Sequence, residues 1–324
     1  VGHYAVHSNW WDILAVLNLY VRILDPVANL PHKSRLTYIL LRQKQILPAH
    51  QYLRLIGTSS AYYKHLLGEC YLLSGSPDKA LDCFLRAGPC IEKPSESLLQ
   101  ELVDDVLARS KIEGESNLLR YWLMLIQLLE EQQLPDLVCQ VVYVALPHAT
   151  QEYKLFLWSN LFKNSLILGN YTQAYLATIS NPVVTRQYDC LKRLCVVMAE
   201  NGFLKELLEF PFIDLQDSVH SILLEIARSD PFGQPNYYDV LNAFHTQRGN
   251  YRQAACIMYE CAARIHAENL NTQTLERYAT CLLSTINSLK LLDPVDMWVP
   301  RFNRSQELDD AMEIAERRKY LPSH

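Results

Sequence analysis

Glycine is scarce in this chain, 10 residues of 324, about 3% where ~7% is usual. No two of the ten adjoin, so no glycine-rich turn can cradle phosphates, and dinucleotide-binding and P-loop folds are disfavoured. Positive charge is short as well. The 30 Lys plus Arg fall below the 35 Asp plus Glu, giving a net charge of −5, and no basic face is left for nucleic acid. The longest nearly apolar runs, Leu118–Leu129 and Val138–Leu146, fall well below the ~20 residues needed to cross a bilayer. Low-complexity blocks are missing too, and with 49% hydrophobic residues the chain has enough apolar material for a core without staples. What is abundant is leucine: 54 residues against 36 Val plus Ile, a bias toward helix, because unbranched Leu keeps its rotamers there.

The nine cysteines are odd in number and form no CxxC. The C-x4-C pairs Cys190/Cys195 and Cys256/Cys261 have no histidines at zinc-ligand spacing. They read as reduced thiols acting as small core hydrophobes, which implies cytosol or nucleus. An opening Val1-Gly2-His3 without a signal pattern reads as a piece of a longer protein. No metalloprotease, hydrolase-elbow, P-loop or EF-hand motif occurs, and no cofactor or metal is expected. The ten histidines do not cluster along the chain; His3/His7 share only an i,i+4 spacing. The acidic pairs Asp104-Asp105 and Asp309-Asp310 read as solvated faces. Arg317-Arg318-Lys319 is too short for a nucleic-acid footprint, and Tyr62-Tyr63 and Tyr237-Tyr238 read as helix packing.

Helical periodicity runs almost end to end. Leu99, Leu102, Val103, Val106 and Leu107 form one apolar stripe at i, i+3, i+4, i+7, i+8. Leu118 to Leu129 leaves little polar face, as expected of a helix sandwiched on both sides. The spacing predicts helices over 10–24, 34–46, 59–74, 77–87, 96–110, 116–132, 135–146, 151–168, 171–180, 184–201, 203–209, 215–229, 236–248, 251–268 and 272–291, with prolines at their ends. No strand pattern competes.

Repeats point to the architecture. Gly169-Asn-Tyr-Thr-Gln-Ala174 recurs as Gly249-Asn-Tyr-Arg-Gln-Ala254, and in looser form as Gly75-Ser-Pro-Asp-Lys-Ala80. Each reads as a turn between antiparallel helices. The glycine takes the left-handed conformation ending the first helix. Asn or Ser caps the second, with Gln173 and Gln253 placed for a capping-box reach-back. Ala80, Ala174 and Ala254 allow close helix approach. Around the third copy, Leu67-Gly68, Tyr71, Gly75, Ala80, Phe84 and Ala87 fit the tetratricopeptide pattern. Spacing between copies is irregular, so the expected fold is all-α: an irregular α-solenoid of stacked hairpins with one tetratricopeptide-like repeat. After the last helix, Met297–Phe302 either folds back as a cap on that helix or offers Trp298 and Phe302 as a docking surface.

One stretch is distinctive beyond its periodicity. Asp189-Cys-Leu-Lys-Arg-Leu194, Leu207 with Phe210-Pro-Phe212, and Asn236-Tyr-Tyr-Asp239 with Leu241, Ala243-Phe-His245, Arg248, Asn250-Tyr-Arg252, Ala254, Met258-Tyr-Glu260 and Arg264 resemble the 160-kilodalton nucleoporin family of the Y-shaped nuclear-pore scaffold complex. The resemblance covers residues 155 to 302 and is weaker over the first 110. It implies a helical portion of a scaffold protein at the nuclear pore and nuclear envelope, with other Y-complex subunits as partners. The roles it implies are pore assembly, nucleocytoplasmic transport and messenger-RNA export, without catalytic residues. The expected organisation is 1–150 helical hairpins, 151–302 the solenoid with these segments, and 303–324 a charged tail or linker. The rival readings are a vesicle-coat or tetratricopeptide adaptor gripping peptides in a groove, and an all-helical enzyme with a deep polar pocket of shifted titrating groups.

Overall fold

A computed structural model describes residues 37, 40–56, 61–92, 116–267 and 272–300. The predicted helices 10–24 and 96–110, the Leu99–Leu107 stripe, Phe302, the His3/His7 pair, both acidic pairs and the basic run lie outside the described residues.

The described residues are all-α. The helices are α1 (Ile46–Ile56), α2 (Ala61–Leu73), α3 (Pro77–Glu92), α4 (Asn117–Glu131), α5 (Pro135–Ala145), α6 (Gln151–Ile167) and α7 (Tyr171–Ile179). Then follow α8 (Val184–Glu200), α9 (Leu204–Glu209), α10 (Gln216–Ser229), α11 (Tyr237–Gln247), α12 (Tyr251–His266) and α13 (Thr272–Leu289), with a short 3-10 turn at Leu146–His148. Contacts run mainly between helices adjacent in sequence: α1 on α2, α2 on α3, α3 on α4, α4 on α5, α5 on α6, α6 on α7, and later α10 on α11, α11 on α12, α12 on α13. Within each unit, such packing of consecutive helices is the organisation of an α-solenoid. Two compact units divide the chain, Val1–Gln187 and Tyr188–His324.

Six of the connections are one device. A residue with φ between +55° and +82° ends the first helix: Lys44, Gly75, Gln133, Gly169, Gly202 or Gly249. The following N–H then reaches back to the carbonyl five residues earlier: Gln45 to Leu40 at 2.8 Å, Ser76 to Tyr71 at 2.9 Å, Leu134 to Leu129 at 3.1 Å, Asn170 to Ser165 at 2.9 Å, Phe203 to Met198 at 2.8 Å, and Asn250 to His245 at 2.9 Å. This is the Schellman closure, which satisfies carbonyls the helix end leaves orphaned. The next helix starts at once, so two helices three residues apart must return antiparallel. Five residues after the positive-φ position comes Ala49, Ala80, Val138, Ala174, Leu207 or Ala254, each buried. The turn therefore aims the fourth residue of the second helix into the interface, where alanine brings the backbones closest. Space around Gly75, Gly169, Gly202 and Gly249 is open, with no atom within 4 Å of an added Cβ. Their requirement is conformational alone.

Two capping expectations need correction. Asn170 accepts from the Gln173 N–H at 3.2 Å as predicted, but the Gln173 side chain accepts from the Asn170 amide at 3.2 Å instead of reaching back to the backbone. Asn250 makes no side-chain cap bond at all. Two prolines also misled the boundaries. Pro48 lies in the first turn of α1, where a missing N–H has no intrahelical acceptor to lose, so a helix stands where the sequence suggests a break. Pro89 sits inside α3, which continues to Glu92.

Packing in the first unit rests on shape. A Cβ on Gly68 would overlap the Phe84 ring, and one on Gly88 would overlap the Trp122 indole. Both rings are almost fully buried. In α4, Leu118, Leu119, Tyr121, Trp122, Leu123, Met124, Leu125, Ile126 and Leu129 are all buried, so the helix is enclosed on most sides, with α3 and α5 packed against it.

Candidate docking surface

The distinctive residues of the second unit form a hydrogen-bonded brace. Glu260, in the middle of α12, accepts from Arg228 of α10 through both carboxylate oxygens at 2.7 and 2.9 Å. It also accepts from Arg264 one turn away at 3.1 Å and from the Tyr238 hydroxyl of α11 at 3.2 Å. Burial pushes the Glu260 pKa up, but the hydrogen bonds and charges of Arg228 and Arg264 outweigh it and hold it below the usual carboxylate value. Burial, and then the Glu260 charge, push the Tyr238 phenol well up. The carboxylate therefore stays ionised and the phenol stays a donor, which keeps three helices tied at one point.

Arg248 follows α11 and does the same for a helix end. Its guanidinium lies 3.8 Å from the Phe244 ring centre and 5.7 Å from that of Phe212, while donating to the carbonyls of Phe210 at 2.8 Å, Phe244 at 3.2 Å and Leu208 at 3.4 Å. Those of Leu208 and Phe210 are the orphaned carbonyls closing α9. Asn236 caps α11, accepting from Tyr238 N–H at 3.1 Å and Asp239 N–H at 3.4 Å. Asp239 in turn accepts from Arg277 of α13 at 2.7 Å.

One pairing escaped the sequence. His220 Nδ1 and His245 Nε2 stand 2.9 Å apart, although 25 residues separate them. Burial lowers both, and His245, with His220 and Arg248 adding to the effect, falls to about 4. Both rings are neutral at pH 7, one donating to the other. An i,i+4 search within a helix could not see a contact between α10 and α11.

Trp298 is half exposed, and the Arg252 guanidinium lies 3.7 Å from its ring centre. The segment thus returns to the first turn of α12, the partner of the last helix in its hairpin. Around it Leu291, Val295 and Met297 are exposed. The outer side of α13 also exposes apolar side chains. Among its described side chains Cys281, Thr285 and Ser288 are buried, with Tyr278, Leu282 and Leu289 half-buried. Leu275, Leu283 and Ile286, roughly 150° around the helix at ~100° per residue, are 52%, 60% and 48% exposed.

Chemistry is harder to find. Among the described residues no three His, Cys, Asp or Glu side chains group to hold a metal ion, and no helix is long and apolar enough to cross a membrane. Burial raises the thiols of Cys70 and Cys195 to about 12, which keeps them protonated and unreactive. A groove lined by Leu41, Arg42, Glu69, Leu72, Leu73, Leu128 and Gln132 contains none of these shifted groups.

Comparison with known proteins agrees with the fold. Residues 29–291 match the family described as NUP160/120 middle TPR. The chain belongs to the Nup160/Nup120 family of nuclear pore proteins. It is 36% identical over 241 residues to mouse nuclear pore complex protein Nup160, covering 73% of this chain and 17% of the mouse protein. The human Nup160 comparison gives 36% over the same length, with 73% and 16% covered. Nucleoporin NUP120 of Chaetomium thermophilum is 25% identical over 210 residues, covering 57% of this chain and 16% of that protein. The chain thus spans about one sixth of the Nup160 proteins it matches. The family match begins at residue 29, so it takes in residues 29–110, where the sequence resemblance is weaker.

Proposed function

We propose that this chain is part of a structural scaffold subunit of the nuclear pore complex, acting through protein–protein contacts and without catalysis. On this reading it supports pore assembly, nucleocytoplasmic transport and messenger-RNA export at the nuclear envelope, and its partners are other scaffold nucleoporins of the Y complex. The observation that carries it is how the family-signature residues are used. Glu260 accepts from Tyr238 and Arg264, and from Arg228 outside the signature, while Arg248 donates to a helix end, so these residues fix hairpins. The surface left for partners is apolar: the outer stripe of α13 with Leu291, Val295, Met297 and Trp298. Its occupant is another scaffold subunit.

Affinity capture of the intact protein from nuclear-envelope extract in mild salt tests the assignment. Pore-scaffold subunits should co-purify, and recovery of coat or chaperone components in their place would overturn it. Replacing Leu283 and Ile286 together by Asp should release at least one of those subunits while the helical circular-dichroism signal stays intact. The peptide-adaptor reading has less support, since only the hairpin α2–α3 keeps the tetratricopeptide pattern.

A further inference from the structure

Cys261 and Cys281 lie 20 residues apart, on α12 and α13, yet their sulfurs are 3.6 Å from each other, with the Cys281 S–H donating to Cys261. Both side chains are fully buried. One turn before Cys281, on the same helix, is Arg277, whose guanidinium is fixed by the 2.7 Å bond to Asp239. Its charge stays beside the sulfur pair. Two thiols in van der Waals contact under a held cation form a different environment from Cys70 or Cys195, where burial is the largest influence and raises the thiol.

We propose that Cys261 and Cys281 form an oxidation site, a dithiol that peroxide converts to a disulfide joining α12 to α13. Cys281 is the thiol that ionises first. The Cys261 S–H can turn to donate to its thiolate, and Arg277 stabilises the charge; the same bond pushes Cys261 up. In the first step the Cys281 thiolate attacks one oxygen of hydrogen peroxide. An S–O bond forms, the O–O bond breaks, and the leaving hydroxide takes a proton to become water. In the second step Cys261 sulfur attacks Cys281 sulfur. The S–S bond forms, the S–O bond breaks, and the hydroxyl leaves as water with the Cys261 proton. Two thiols and one peroxide give one disulfide and two waters; the sulfurs lose two electrons and the peroxide oxygens gain them.

The sulfurs must close by about 1.5 Å to reach bonding distance, a movement within reach of side-chain rotation and a small helix shift. With both thiols fully buried, peroxide reaches them when the α12–α13 hairpin opens locally. Opening one hairpin at this point exposes the pair without dismantling the rest of the stack.

The test uses the intact 324-residue chain, reduced, then treated with hydrogen peroxide at neutral pH, alkylated, and mapped by non-reducing peptide mass spectrometry. A linked peptide joining Cys261 to Cys281 should be the main intramolecular disulfide, reversed by dithiothreitol. The oxidised protein should melt several degrees above the reduced one. Cys281→Ser should remove both the linkage and the shift, and Cys261→Ala provides the same check should the serine variant fold poorly. The proposal falls if peroxide modifies the more exposed Cys83, Cys90, Cys190 and Cys256 while 261 and 281 stay unlinked. It falls equally if the melting shift persists in both variants.

Discussion

The hairpin α2–α3 and the group α10–α13 solve the same problem with different chemistry. In the first, rings are set against glycines: Phe84 against Gly68, and from the neighbouring helix α4, Trp122 against Gly88. In the second, the helices meet over a charged brace, Glu260 with Arg228, Arg264 and Tyr238, backed by Arg248 on the end of α9. Both halves use the same three-residue reversal. The turn sets direction, then, and the locking chemistry is free to vary. Shape locking has no polar group to strand but tolerates no added volume. A polar lock tolerates volume at its edges, yet each partner depends on all the others.

The largest effect should follow from filling the shape lock. Gly68→Leu drives a side chain into the Phe84 ring inside a buried core, and overpacking of this kind costs about 3 kcal/mol or more. A chemical-denaturation midpoint near wild type would show that this hairpin is not closed by the ring. The matching break of the polar lock is Glu260→Ala, which leaves two guanidiniums and a phenol without their acceptor. Arg228 is 39% exposed and can turn to water, so the loss is set at roughly 2–3 kcal/mol, below that of a fully buried pair. Glu260→Gln keeps an acceptor and should lose less. If both variants lose equally, the charge is not what holds the brace.

Acid separates the two regions without mutation. The folded state keeps His245 at about 4 against 6.5 for the free side chain, so the unfolded chain takes up protons first as pH falls. Stability contributed by the neutral ring is complete above about pH 6.5 and is lost between there and about pH 4, in all roughly 2 kcal/mol. The lowered His220 adds to the loss in the same direction. Relative to the slower intrinsic exchange at low pH, amide protection at pH 5 should therefore fall in α10 and α11 before it does in α2 and α3. Uniform change would remove the histidine pair as the cause.

Next comes the turn itself. Gly249→Val places a β-branched residue at φ +73°, costing about 1–2 kcal/mol, and an unchanged melting temperature would contradict the assignment. This much was legible in the sequence, because the hexapeptide at Gly169 recurs at Gly249 and each of its residues has a mechanical role. Helix type and most boundaries were legible for the same local reasons. The brace was not. Glu260, Arg228 and Tyr238 are 22 and 32 residues apart, and nothing in local spacing says that their helices meet. The face of α13 was hidden for a related reason: the spacing predicts the helix but not that Cys281, Thr285 and Ser288 are buried while Leu275, Leu283 and Ile286 are exposed.

Half of the turn's occurrences are hidden too, since they lack the hexapeptide, and Gly202 has a different sequence after it. Lys44 and Gln133 close their helices in the same left-handed conformation without being glycine, at φ +57° and +55°. A side chain there carries strain of about 1 kcal/mol or more, part of which glycine would return as backbone entropy in the unfolded chain. Gln133→Gly should consequently raise stability, by about 0.5–1 kcal/mol, provided the Gln133 side chain contributes little from its exposed position. The same change at an ordinary helical residue destabilises, so the sign of the effect is diagnostic. A fall in the denaturation midpoint of Gln133→Gly would mean that the turn between α4 and α5 draws its geometry from the packing of Leu129 and Val138 rather than from the residue at the reversal.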